Sequence, residues 1–176
     1  YVCHTTKELR NEVSRVRKKE NPLGLVTTMG GFHEGHASLI KASPAENDFV
    51  IVTVFVNPTQ FGPTEDYAAY PRTLESDCKM AEREGADLVF APAPGEMYPH
   101  EDMTWVEVTA YYEGPLRKDT TYSFSRRRYG LCQVLNLTQC DRAYYGLKDA
   151  QQTQVLQRMV EDLFMNVTLR LMPIVR

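Results

Sequence analysis

The sequence carries almost no excess of either charge: 20 Lys and Arg stand against 23 Asp and Glu over 176 residues, a formal net charge of -3. Such a balance lacks the electrostatic footprint of a basic nucleic-acid binder and the charge surplus of a disordered tail. It also lacks any uncharged apolar run of about 18 residues, the length a membrane helix requires. Its longest apolar stretch, Phe49 to Val56, is interrupted by Thr53. Lys7 and Glu8 arrive before the apolar core of a leader could form, so no secretory signal is expected in these residues. Cys3, Cys78, Cys132 and Cys140 never form a C-x-x-C pair, which removes the spacing of zinc ribbons and thioredoxin-type redox motifs. Four reduced thiols in a cytoplasmic protein fit this usage, with neither nucleic acid nor a membrane as a partner.

What is present is 43% hydrophobic residues in a length suited to one substantial core. Leu9, Val13 and Val16 recur at helical spacing between Thr6 and Glu20, and Thr5-x-x-Glu8 supplies a capping box. The β-branched run Leu23 to Thr28 predicts a buried strand, Met29-Gly30-Gly31 a turn, and His36 to Ser43 a helix stopped by Pro44. Phe49 to Val56 has no polar alternation, as expected of a strand covered on both faces. The Pro-, Gly- and Asp-rich segment from Asn57 to Tyr70 predicts a long loop of the kind that carries function. Leu74, Cys78 and Ala81 mark a helix closed by Gly85, and Leu88-Val89-Phe90 another buried strand. A Pro-rich stretch from Ala91 leads to an alternating strand at Thr104 to Val108, followed by a polar stretch. Then come a strand at Arg142 to Tyr145, a helix from Asp149 to Phe164 with Leu156, Met159, Val160 and Leu163 on one face, and a strand within Asn166 to Met172. Strands alternating with helices predict an α/β fold, a doubly wound parallel sheet of Rossmann-like type, as one domain over residues 1–176. Ligands of such sheets bind beyond the carboxyl ends of the strands, at a topological switch point.

The residues after the first predicted long strand, Met29-Gly30-Gly31-Phe32-His33-Glu34-Gly35-His36, combine paired glycines, an imminent helix start and two imidazoles three residues apart. Free N–H groups at that helix start and both rings could face phosphate oxygens. A surface turn with two incidental histidines accounts for a lone H-x-x-H equally well. A zinc site is weaker, because no third soft ligand lies nearby, and no metal ligand is assigned. Gln60 and Gln152 could each donate to a carboxylate and accept from a hydroxyl, or be ordinary polar residues. Asp149 with Gln152 also fits a helix cap, Lys148 a phosphate clamp or a solvated charge, and Asn57-Pro58 plain turn chemistry.

The segment Thr28 to His36 resembles the H-x-G-H signature of the nucleotidyltransferase superfamily. Phe55-Val56-Asn57-Pro58-Thr59-Gln60-Phe61-Gly62-Pro63 resembles a hallmark of the pantothenate synthetase family. Tyr70 to Asp77, Asp87 to Pro92, Met97-Tyr98-Pro99 and Asp149 to Gln152 continue the resemblance in order, from about Leu9 to Arg176. It implies an ATP-dependent ligase, in which pantoate attacks the α-phosphate of ATP, pyrophosphate leaves, and β-alanine displaces AMP to give pantothenate. It further implies that Met29, Gly30, Gly31, Phe32, His33, Glu34, Gly35 and His36 cradle ATP, with His36 the leading catalytic imidazole and His33 its partner. Gly146, Leu147, Lys148 and Asp149 correspond to a second ATP segment, with Lys148 on phosphate. Val175 matches an adenine contact, and Gln60, Gln152 and Asn57 match the pantoate pocket. Mg²⁺ is expected with ATP, and a homodimer with it.

Departures from the family are local except one. The family's Arg-Pro-Gly-His-Phe-Arg-Gly reads here Thr120 to Arg126, with Ser125 in place of the second arginine and Arg126, Arg127 and Arg128 adjacent. Leu147 replaces a family Glu, and Cys140 a Pro. The family also continues beyond the position of Arg176 into a smaller lid domain, so that domain is expected to be absent from these residues.

Overall fold

The computed structural model describes residues 1–61, 67–100, 104, 106, 108, 130–147 and 150–173, with side chains from 153 onward in the last segment. Its centre is a six-stranded, all-parallel sheet. The strands are β1 (Val2–Cys3), β2 (Leu23–Thr28), β3 (Phe49–Val54), β4 (Leu88–Phe90), β5 (Arg142–Gly146) and β6 (Thr168–Met172), in spatial order β1-β4-β3-β2-β5-β6. The helices are α1 (Thr6–Arg17), α2 (Glu34–Ala42), α3 (Leu74–Arg83), α4 (Pro94–Met97), α5 (130–138) and α6 (Ala150–Asp162).

Period-two alternation sorts the strand residues between two cores. Leu23, Leu25, Ile51, Leu88 and Phe90 face one side, packed with Leu9, Val13 and Val16 of α1, Val134 and Leu135 of α5, and Leu156 and Met159 of α6. Val26, Val50, Val52 and Val89 face the other, under Leu39 and Ile40 of α2 and Ala81 of α3. Both faces are covered, which is why β2 and β3 read as unbroken apolar runs. Gly24 is required by packing: a Cβ there would stand 2.3 Å from Ser43 Oγ and 2.7 Å from Asn47 Nδ2.

The element ends follow local chemistry. Thr5 and Glu8 form the expected capping box of α1, worth about 1 kcal/mol. Gly85, at φ +97°, closes α3, and the bonds Ala86 N–H to Ala81 O (2.9 Å) and Gly85 N–H to Glu82 O (3.1 Å) complete a Schellman motif. Expected elements are otherwise trimmed by a few residues. The second helix starts at Glu34 rather than His36, because His33 caps it.

Four features differ from the sequence reading. The edge strand β1 is only two residues long, below what periodicity can detect. The short α4 begins at Pro94, a residue suited to the first helical position. The segment read as polar contains α5, whose Cys132, Val134, Leu135 and Thr138 are buried; interleaved Gln133 and Asn136 masked a helical period. Leu163 is 47% exposed instead of facing the core, because α6 ends at Asp162 and Leu163 lies beyond its apolar stripe. Of the strand expected at Thr104 to Val108, Thr104, Val106 and Val108 are described and are not in a strand, while residues 105 and 107 lie outside the described residues, as do Thr120 to Arg128.

Candidate active site at the sheet switch point

After β2 the chain builds outward through β3 and β4 on one side, then returns to place β5 and β6 on the other. The switch point is therefore at the carboxyl end of β2. Thr28 pairs with Val54 and Val26 with Tyr144, so the segments after β2, β3 and β5 leave the sheet along one edge. Those segments hold Met29 to His36, Asn57 to Gln60, and Leu147 with its successors.

The first segment is braced from behind. Thr28 Oγ1 donates to Thr53 O (2.6 Å) and accepts from Gly30 N–H (3.2 Å). Gly30 and Gly31 follow at φ +87° and +66°, where a Cβ is disfavoured. Gly31 N–H and Phe32 N–H donate to Asp77 Oδ2 (3.0 Å) and Oδ1 (2.9 Å). His33 N–H reaches His36 Nδ1 at 3.4 Å, and Gly35 N–H donates to His33 Nδ1 at 3.0 Å. Of the amides expected to face phosphate, the N–H groups of Gly30, Gly31, Phe32, His33 and Gly35 are bonded within the protein.

That satisfaction defines the imidazoles. A ring that accepts a backbone N–H at Nδ1 carries its proton, when neutral, on Nε2. Both His33 and His36 accept in this way, so each has Nε2–H as its donor. Their centroids are 4.2 Å apart, with the Phe32 ring 5.4 Å from His36. Gly35 makes the arrangement possible, since a Cβ there would lie 2.8 Å from His33 Cε1. Glu34 is exposed at the first turn of α2, and Met29 is half-buried.

Across β3, Asn57 is 1% exposed. Its Oδ1 accepts from Thr59 N–H (3.1 Å), Thr59 Oγ1 (2.9 Å) and Tyr98 Oη (3.0 Å). Its Nδ2 is buried without a hydrogen-bond partner among the described residues. The turn chemistry proposed for Asn57-Pro58 is therefore real, and it occupies the carbonyl oxygen while leaving the amide donor unmatched. An unmatched buried donor costs about 1–3 kcal/mol, which marks it as a place for a ligand acceptor. Gln60, half-buried, ends the single 3₁₀ turn Pro58–Gln60 capped by Asn57.

On the third segment Gly146 ends β5 and Leu147 is 42% exposed. Lys148, Asp149 and Val175 lie outside the described residues. Gln152 is in the first turn of α6, its side chain likewise outside them. Sequence reasoning missed Asp77, Tyr98 and α5. Asp77 and Tyr98 stood only within segments that carry the family resemblance, with no role assigned to either. Gly130 of α5 abuts Asn57, as a Cβ there would be 2.6 Å from Nδ2. Gln133, one turn on, donates to Met97 O (3.1 Å) and keeps a buried Oε1 without a partner among the described residues.

The fold recurs in known proteins. Residues 1–176 match the family described as Pantoate-beta-alanine ligase. A pantothenate synthetase from Thermotoga neapolitana is 45% identical over 179 residues, covering 99% of this chain and 62% of the relative. One from Acidobacterium capsulatum is 44% identical over 188 residues, with the same coverage. The crystal structure of pantothenate synthetase from Thermus thermophilus superposes with TM-score 0.88 at 41% identity, over 99% of this chain and 62% of that one. The pantoate-beta-alanine ligase of Francisella tularensis, solved with β-γ ATP and β-alanine, gives 0.92 at 32% identity, over 99% and 67%. The chain spans about 62% of the length of the curated relatives it matches. Matched by the family over residues 1–176 and by relatives 44–45% identical over 99% of its length, the chain belongs to the pantoate–β-alanine ligase family.

Proposed function

We propose that this chain is the nucleotide- and pantoate-binding domain of an enzyme that condenses pantoate with β-alanine, using ATP and releasing AMP and pyrophosphate. The observation that carries the reading is the pair of imidazoles at the switch point, each held by a backbone N–H at Nδ1 and so bearing its donor at Nε2. In the first step a pantoate carboxylate oxygen bonds to the α-phosphorus of ATP and the bond to the β-phosphate bridging oxygen breaks. Charge accumulates on the departing pyrophosphate, where the Nε2–H groups of His36 and His33 and the ammonium of Lys148 stabilise it. In the second, the β-alanine amine attacks the acyl carbon, AMP leaves with the bonding electrons, and the amine nitrogen loses a proton.

The pantoate side is assigned to Asn57, Gln60 and Gln152. The unmatched Asn57 Nδ2 meets a substrate oxygen, and the two glutamines suit a molecule that is both carboxylate and alcohol. Gly146, Leu147, Asp149 and Val175 complete the nucleotide side. Among the described residues no three His, Cys, Asp or Glu side chains are grouped to hold a metal ion, so Mg²⁺ would travel on the phosphates, with Asp149 assigned to it by the family resemblance alone. A homodimer and a cytoplasmic location complete the proposal. All four cysteines are free thiols, as a reducing compartment requires, and no helix among the described residues is long and apolar enough to cross a membrane.

The test is isotope exchange between pyrophosphate and ATP in the full-length protein, with pantoate present and β-alanine absent. Exchange that requires pantoate, and falls about a hundredfold or more in His36→Ala, is the expected result. Exchange without pantoate would indicate a different nucleotidyltransferase, and undiminished exchange in His36→Ala would remove the imidazole from the chemistry.

A further inference from the structure

The carboxylate of Asp77 is 2% exposed, and a charge so placed requires compensation. Asp77 stands in the first turns of α3, where its N–H donates to Thr73 O (2.9 Å). There a carboxylate would ordinarily cap its own helix or meet water. This one turns away from α3 and crosses to the loop after β2. Oδ2 accepts Gly31 N–H at 3.0 Å and Oδ1 accepts Phe32 N–H at 2.9 Å. Thr73 Oγ1 lies 3.1 Å from Oδ2 and 3.2 Å from Oδ1, and donates into the same carboxylate. Tyr70 Oη reaches Gly30 O at 3.5 Å from the same stretch of chain.

Two consecutive left-handed residues form a loop with no ladder of its own to hold it. The two amides that Asp77 holds belong to the peptides leading into His33, and His33 in turn caps α2 and packs on His36. The direction of both Nε2–H groups thus depends on peptide planes held by one carboxylate from another element. The clamp joins the start of α3 to the H-x-G-H turn.

We propose that Asp77 is a positioning residue, which through Gly31 and Phe32 holds the H-x-G-H loop in its ligand-ready shape without touching the ligand. This rests on the ATP reading above. Asp77→Asn is the perturbation, because an amide keeps the size while presenting one donor to a backbone donor. Charge-assisted bonds of this kind are about twice as strong as neutral ones, so ATP affinity should fall by about tenfold or more, with a matching rise in the KM for ATP. The KM for pantoate should move less than threefold. Amide exchange at Gly31 and Phe32 should accelerate in the same variant, while exchange in β2 and β3 is unchanged.

The experiment is ATP titration calorimetry, steady-state kinetics and amide exchange on the full-length protein and on Asp77→Asn. Thr73→Val serves as a second, gentler variant: it keeps the carboxylate and removes one donor to it, so it reads the same clamp if Asp77→Asn does not fold. Equal ATP affinity in the original protein and the folded variants, or a loss shared equally by ATP and pantoate, would overturn the proposal. Failure of the unsubstituted protein to bind ATP would instead overturn the functional reading. Unchanged exchange at Gly31 and Phe32 would refute the clamp in either case.

Discussion

Gly30 and Gly31 are adjacent, both have positive φ, and they differ in what surrounds them, so paired alanine substitutions separate backbone strain from packing. At Gly31, φ +66°, an added Cβ has its nearest neighbour, Pro71 Cβ, at 3.7 Å, an ordinary contact. Only the left-handed backbone then opposes alanine, about 1–2 kcal/mol. At Gly30, φ +87°, the Cβ would stand 3.1 Å from Val54 Cγ1 and 3.2 Å from Asp77 Oδ2. Neither can retreat easily, since Val54 ends β3 and Asp77 is held by Gly31, Phe32 and Thr73. Overfilling adds about 1–3 kcal/mol, giving about 2–5 kcal/mol in all for Gly30→Ala. Urea unfolding of the two variants at unchanged m-value measures both. Gly30→Ala should lose about 1–3 kcal/mol more than Gly31→Ala. Equal losses, or the reverse order, would refute the placement of Gly30 against β3 and α3.

Two further outcomes follow from titratable groups. Arg170, and then the Tyr144 hydroxyl, hold the Glu46 carboxyl below its ordinary 4.5, with Arg170 at 3.0 Å through both Nε and Nη2 and Tyr144 at 2.8 Å. A depressed folded value contributes stability above the ordinary value that is lost as pH falls through the depressed one. Glu46→Gln should therefore flatten the dependence of Tm on pH below about 4.5, and an unchanged acid limb would contradict the bridge. Burial pushes the Cys3 and Cys140 thiols up to about 12. Alkylation of the native protein near neutral pH, followed by mass spectrometry, should label half-buried Cys78 first and Cys140 only on unfolding; labelling of Cys140 as fast as Cys78 would refute its burial.

The frame was legible because its signals are local. The unbroken apolar runs at Leu23 to Thr28 and Phe49 to Val54, the Thr5–Glu8 box and Gly85 each reflect a rule acting over a few residues. The H-x-G-H turn alone read equally well as an incidental surface turn, and it stood out only with the family motifs that follow it in order. The hidden elements are those decided by distant partners. The pairing of Val2 and Cys3 with Val89 and Phe90 joins residues far apart in the chain. The helix at 130–138 is recognisable by what it packs on, and its Gln133 and Asn136 blur the apolar pattern. Asp77 was invisible as a site residue because its partners lie 45 and 46 positions away. The turn itself also differs in kind from the expectation. The N–H groups of Gly30, Gly31, Phe32, His33 and Gly35 bond to protein groups.

The central claim, that both imidazoles meet the nucleotide through Nε2, is tested most directly by a crystal structure of the full-length protein with a non-hydrolysable ATP analogue and pantoate. The account predicts phosphate oxygens within about 3 Å of His33 Nε2 and His36 Nε2, pantoate against Asn57 Nδ2, and the Asp77 bonds to Gly31 and Phe32 intact. Phosphates bound instead to the Gly31 and Phe32 amides, with Asp77 displaced, or a nucleotide away from the end of β2, would contradict it.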